Sequence, residues 1–135
     1  MTGWALGLGT LAVATVFGLL WRRRQGRVQA PAATALPEQV LRRVDSAAEV
    51  TLLQLSTPIC ARCPQARALL SELAAETSGI GHAEIDLAEH PRLAAELGVR
   101  STPTVLAVSR AGNELFRVAG VPCRAELLSA LQPHL

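Results

Sequence analysis

The sequence predicts an α/β domain, a mixed central sheet of about four strands flanked by helices, preceded by a single N-terminal transmembrane helix. Three observations predict it. Residues 1–21 carry no charged side chain, in a chain of 135 residues that is 50% hydrophobic. Beyond residue 37, apolar runs of strand length alternate with segments of helical period. The last two strand-like runs flank Ala111-Gly112-Asn113, a hairpin signal. A mass of 14.3 kDa allows one domain beside the anchor.

Composition excludes several classes. The apolar content is too high for disorder throughout. Three cysteines in 135 residues are too few for a disulfide-stapled mini-protein. All 13 basic residues are arginine, and Arg22, Arg23, Arg24 and Arg27 cluster just after the apolar head. From Val28 onward nine arginines face eleven acids, a net charge of −2. The overall +2 is therefore a local flank, and no nucleic-acid partner is expected.

Gly3 to Trp21 is nineteen uncharged residues, about 28 Å of helix against a hydrocarbon core of ~30 Å. Trp4 and Trp21 suit the two headgroup boundaries. A cleaved signal peptide is the competing reading, with Ala30-Pro31-Ala32 or Ala33-Thr34-Ala35 as cleavage site. Signal peptides carry their positive charge before the apolar run, whereas here the arginines come after it. Residues 1–21 are thus expected to remain as a single-pass anchor in the cell membrane. The arginine flank would hold the rest of the chain on the cytoplasmic side. Residues 22–37, including QGRVQAPAATALP, read as a basic flank and flexible tether, and residues 38–135 as the folded domain.

Within the domain, Glu38 to Ala48 has Val40, Leu41 and Val44 at helical spacing. Val50 to Leu55 (VTLLQL) reads as a central strand, broken by Ser56-Thr57-Pro58. Cys60 to about Thr77 reads as a long helix with Ala66, Leu69, Leu70 and Leu73 on one face. Ala83 to Leu87 is a strand, Glu89 to Leu97 a helix, and Thr104 to Ser109 and Glu114 to Ala119 are hairpin strands. Arg124 to Leu131 is a final helix.

The chemistry lies in Cys60-Ala61-Arg62-Cys63 at a strand–helix junction. Unfilled N–H groups and the positive end of a helix stabilise a thiolate, and Arg62 adds a full charge beside it. Two intervening residues let the thiols close a ring. Pro64 is tolerated in a first turn, where its missing N–H has no helical partner. Cys60, nearer the turn, is assigned the attacking role and Cys63 the resolving one. A zinc site would need four ligands, but no second C-x-x-C or H-x-x-x-H is present and His82, His90 and His134 are scattered. No metal is expected. Cys123, the odd cysteine near a helix start, reads as a small filler or cap, with a third redox thiol as the alternative.

From Val50 to Leu135 the chain resembles the thioredoxin family. The resemblance rests on CARC at the strand–helix junction, Val99-Arg100-Ser101-Thr102-Pro103-Thr104 before a strand, the Ala111-Gly112-Asn113 hairpin, and Gly120 before the last helix. The whole chain is similar to small membrane-anchored thioredoxin-like proteins of actinobacteria. The resemblance implies a thioredoxin fold, thiol–disulfide exchange and a cis Thr102–Pro103 bond facing the dithiol. It also implies a substrate groove formed by Thr102, Pro103, Ile59 and Gly120.

Departures from the family pattern are informative. Ile59 stands where a tryptophan precedes the first cysteine, and Ala61-Arg62 replaces Gly-Pro. Gln54 fills the slot of a buried acid that relays protons to the second cysteine, and His82 that of a nearby lysine. Removal of the Cys63 proton is expected to be slower or routed through water. An arginine-stabilised thiolate would raise the reduction potential above the ~−270 mV of thioredoxin.

The expected function is exchange of disulfides in protein or small-thiol partners, fed by an external thiol or electron donor and needing no bound cofactor. Two other readings stay open here, a persulfide or sulfur-relay carrier and a non-catalytic adaptor.

Overall fold

The structure is a computed structural model that describes residues 2–32 and 35–135. The segment Ala33-Thr34-Ala35 therefore lies mostly outside the described residues. Helix α1 spans Thr2–Arg24, followed by β1 (Val28–Gln29), α2 (Glu38–Leu41), β2 (Val50–Ser56), α3 (Cys63–Glu76), β3 (Ile80–Asp86), α4 (Leu93–Glu96), β4 (Thr104–Ser109), β5 (Glu114–Ala119) and α5 (Arg124–Leu131). A 3₁₀ turn over Gln132–His134 ends the chain. The sheet has five strands in the order β1-β5-β4-β2-β3. Only β2 and β3 run parallel; β2–β4, β4–β5 and β1–β5 are antiparallel. This is the expected mixed sheet, one strand larger than foreseen.

Strict alternation in β2 and β4 divides the core in two. Val50 and Leu52 of β2, Val105 and Ala107 of β4, and Phe116 and Val118 of β5 face Leu70 and Leu73 of α3 and Leu127 and Leu131 of α5. On the opposite face Leu53, Leu55, Leu106 and Val108 pack with Val40 of α2 and Leu93 of α4. A strand buried on both sides must be apolar at nearly every position, and VTLLQLS is buried at all seven. Gln54 continues the row of Val50 and Leu52 on the α3 side. It is a polar residue at a core position directly beneath the C-x-x-C turn.

Two expected helices are much shorter than their apolar periods. After Leu41 the Asp45 carboxylate accepts the Ala47 N–H at 2.9 Å, and the Asp45 N–H donates to Thr51 Oγ1 at 2.9 Å. These side-chain bonds compete with helical ones. Before α4, the Asp86 carboxylate accepts the Ala88 N–H at 2.8 Å, and Pro91 biases His90 away from helical backbone. The long helix α3 starts at Cys63 rather than Cys60, because Thr57-Pro58 feeds a turn closed by the Cys60 N–H onto the Thr57 carbonyl at 3.2 Å.

The tether expectation needs correction between residues 26 and 29. The Gly26 N–H donates to the Ala119 carbonyl at 2.7 Å, Val28 pairs with Val118, and the Val28 N–H donates to the Glu126 carboxylate at 2.9 Å. A two-residue strand has no period to read, and it forms here because β5 offers an open edge. The chain just after α1 is thus bound to the domain. Gly26 has φ +79, and a Cβ there would meet the Val121 carbonyl oxygen at 2.7 Å. Only glycine fits both conditions.

Helix α1 is long and apolar enough to cross a membrane by length and composition. Its large apolar side chains, from Trp4 to Trp21, are exposed along the whole length. The hydroxyls of Thr10 and Thr15 donate to the carbonyls four residues back, at 2.9 and 2.8 Å, so they make no demand on the surroundings.

Candidate active site

Strand β2 ends at Ser56 and the chain turns through residues 57–62 before α3 begins. Arg62 is the N-cap and makes no side-chain capping bond, and Pro64 lies in the first turn. The first-turn N–H groups therefore remain uncapped by any side chain, a local positive end aimed at the preceding turn. That turn carries Cys60, which is half-buried, while Cys63 is 2% exposed. The two are joined as a disulfide with Cα atoms 5.5 Å apart. One more accessible and one shielded cysteine is the asymmetry that exchange chemistry needs.

The other predicted residues gather around this turn. The Thr102–Pro103 bond is cis, with Pro103 buried and Thr102 half-buried. Thr57 Oγ1 lies 3.4 Å from Thr102 Oγ1, tying the turn before Cys60 to this loop. The Gly120 N–H donates to the Pro103 carbonyl at 2.7 Å. Gly120 has φ +91, and a Cβ there would meet the Gly26 nitrogen at 3.4 Å. Ile59 is 94% exposed, an apolar side chain presented beside Cys60. Arg62 is exposed. No backbone bond joins Thr102 to another main-chain group among the described residues.

Beneath the dithiol, Gln54 Nε2 donates to the Cys63 carbonyl at 3.0 Å, and Gln54 Oε1 is buried without a partner among the described residues. On β3 the cross-strand partner of Gln54 is Glu84; His82, two residues earlier on that strand, pairs with Leu52. Glu84 accepts from Arg67 of α3 at 2.6 and 2.7 Å and from the Ser56 hydroxyl. The Arg67 hydrogen bond is the main reason its carboxyl lies below the usual carboxylate range, with the Ser56 bond acting the same way against partial burial. Burial of the His82 ring holds it below the usual imidazole range. Its Nδ1 is 3.0 Å from Ser71 Oγ.

Cys123 caps α5 as expected, but it is exposed rather than a packed filler. Sequence reasoning missed two features. One is the contribution of Gln25 and Gly26 to the rim beside Gly120; the glycine at 26 is its only signal in the sequence. The other is the buried Arg117–Glu114 pair at 2.6 Å, from which Arg117 also reaches the Leu97 carbonyl at 2.8 Å. Alternating strand positions gave no hint that these charges are covered.

Comparison with known proteins gives a consistent result. A family model described as Thioredoxin matches residues 33–133. A thioredoxin from Pyropia yezoensis is 31% identical over 85 residues, covering 62% of this chain and 78% of that protein. One from Chlamydia caviae is 27% identical over 85 residues, covering 63% and 82%. Among solved structures, a thioredoxin mutant from Halobacterium salinarum superposes with a TM-score of 0.62 at 25% identity, over 78% of this chain and 90% of that one. The thioredoxin of Fasciola hepatica, at 19% identity and a TM-score of 0.59, shares the fold over 73% of this chain and 90% of its own.

Proposed function

The chain belongs to the thioredoxin family and with its Cys60–Cys63 pair is a thiol–disulfide oxidoreductase; from that premise we propose a membrane-tethered protein-disulfide reductase whose domain lies on the cytoplasmic side. The observation that carries the reading is the unequal exposure of the two cysteines at the uncapped start of α3. In the reduced protein the Cys60 thiolate attacks one sulfur of a substrate disulfide, forming a mixed disulfide and releasing the other sulfur as a thiol. The Cys63 sulfur, after losing its proton to solvent, attacks Cys60. The Cys60–Cys63 disulfide forms and the second substrate thiol leaves. Two electrons pass to the substrate, and an external dithiol donor returns them.

Thr102, Pro103, Ile59 and Gly120 form the groove in this reading. The unpaired main chain at Thr102 offers bonds to an extended substrate strand, and Ile59 offers apolar contact. Arg62 favours the Cys60 thiolate. The anchor reading is supported by a helix whose apolar side chains are exposed on every side, an arrangement stable in lipid rather than water. The arginine flank supports the cytoplasmic side. The anchor of residues 1–21, the junction to residue 37 and the domain of 38–135 are the corresponding division of the chain.

Insulin reduction driven by dithiothreitol tests the activity. The full chain in detergent should accelerate precipitation of the insulin B chain, and Cys60→Ser should be inactive. Equal activity of the two proteins would overturn the assignment.

A further inference from the structure

A cleft of about 520 Å³ opens between the first turn of α3, the start of α5 and the end of α1. Its size suits a small ligand or one side-chain cluster of a larger one. Arg62 and Gln65 line it at the start of α3, Cys123 and Glu126 at the start of α5, Arg23 in the last turn of α1 and Arg27 in the junction after it. None of Arg23, Arg27 and Arg62 forms an ion pair among the described residues. Arg67, Arg110, Arg117 and Arg124, by contrast, are each paired with a glutamate. The one acid in the cleft, Glu126, is already engaged by the Val28 N–H at 2.9 Å. Three guanidinium groups and one carboxylate thus share one concavity, a local excess of two positive charges next in sequence to Cys63, in a domain whose net charge from Val28 onward is −2.

We propose that this cleft is an anion-recognition subsite that selects disulfide or thiol substrates bearing a carboxylate near the reacting sulfur. The proposal rests on the oxidoreductase reading of the dithiol. Guanidinium groups hold carboxylates by forked, charge-assisted hydrogen bonds. Arg62, two residues from Cys60, ties recognition to the sulfur that reacts. The same chemistry would draw a lipid phosphate to Arg23 and Arg27, so a test must separate the two sources.

Cys123 supplies the reporter, because it is the free thiol when Cys60 and Cys63 are joined and it lines the cleft. The oxidised full chain, in vesicles of zwitterionic lipid, is alkylated with iodoacetate and with iodoacetamide. The rate ratio is compared with that of a cysteine peptide. The ratio should exceed the peptide value by about tenfold, as expected of a focusing charged cleft. It should fall with added salt and drop several-fold in Arg27→Gln. A ratio equal to the peptide value overturns the subsite, and so does collapse of the ratio in vesicles containing anionic lipid, which would assign the cleft to headgroups. Turnover then compares dithiodipropionate with the uncharged hydroxyethyl disulfide. A lower KM for the dicarboxylate, lost in Arg27→Gln, supports the subsite, and equal KM values overturn it. Failure to reduce either disulfide would count against the oxidoreductase reading, while the alkylation ratio judges the subsite separately.

Discussion

Gln54 has more hydrogen-bonding capacity than its surroundings use. Its side chain is fully buried, yet among the described residues only Nε2 has a partner, the Cys63 carbonyl at 3.0 Å. The amide cannot be turned round, since that would set one oxygen against another. A buried acceptor without a donor costs about 1–3 kcal/mol, whereas the bond made by Nε2 contributes a net of roughly 1 kcal/mol. Gln54→Met keeps the volume and removes both terms, and the Cys63 carbonyl retains its helical partner. Urea unfolding of the oxidised protein should show a gain of about 1 kcal/mol; a loss of that size would mean that Oε1 has a donor in solution. Magnitudes also rank the influences on Cys60. Arg62 is exposed, and an exposed charge interaction is worth about 0.2–1 kcal/mol. In the proposed mechanism the arginine would therefore be a small influence on the thiolate, and the uncapped helix start one of at least similar size.

The seam between α3 and β3 makes the element sensitive to acid. Arg67–Glu84–Ser56 and Ser71–His82 are its two polar links. Burial holds His82 below its ordinary 6.5, and the Arg67 hydrogen bond holds Glu84 below its ordinary 4.5. In both cases the unfolded chain binds protons more readily than the folded one. The stability contributed is complete above the ordinary values and is lost as pH falls through the lower, folded ones. Urea midpoints should fall as pH is lowered from 7, first through His82 and then through Glu84, and His82→Gln should flatten the first part of the decline. An unchanged wild-type midpoint between pH 7 and 4 would refute this account. Elements of this kind differ in how well sequence discloses them. β2, β4, β5 and α5 were legible because burial imposes a period on them, and the C-x-x-C turn was legible because its chemistry restricts the residue types. α2 and α4 were overestimated because Asp45, Asp86 and Pro91 act locally against an apolar period that continues past them. β1 left no trace, being two residues long and dependent on a partner ninety positions away. Gln54 was located correctly, but its unpaired oxygen belongs to packing and cannot be read from residue order.

At the scale of the molecule, the domain and α1 meet over a very short stretch. β1 covers the outer edge of β5, with Val28 opposite Val118 and Gln29 opposite Arg117. A chain beginning at residue 25 should lose the apolar helix and stay monomeric. One beginning at residue 30 should expose that edge and self-associate, because an unpaired strand offers a template for another chain. Size-exclusion chromatography of the two truncations distinguishes them, and monomers in both cases would show that β1 is dispensable. The same short junction limits how the enzyme meets its partners. Three residues, Gln25 to Arg27, join the last turn of α1 to β1, a reach of at most about 10 Å. With α1 upright in a bilayer, the reactive sulfurs would patrol a thin layer along its surface, and a disulfide deep in the surrounding fluid would have to be carried to them.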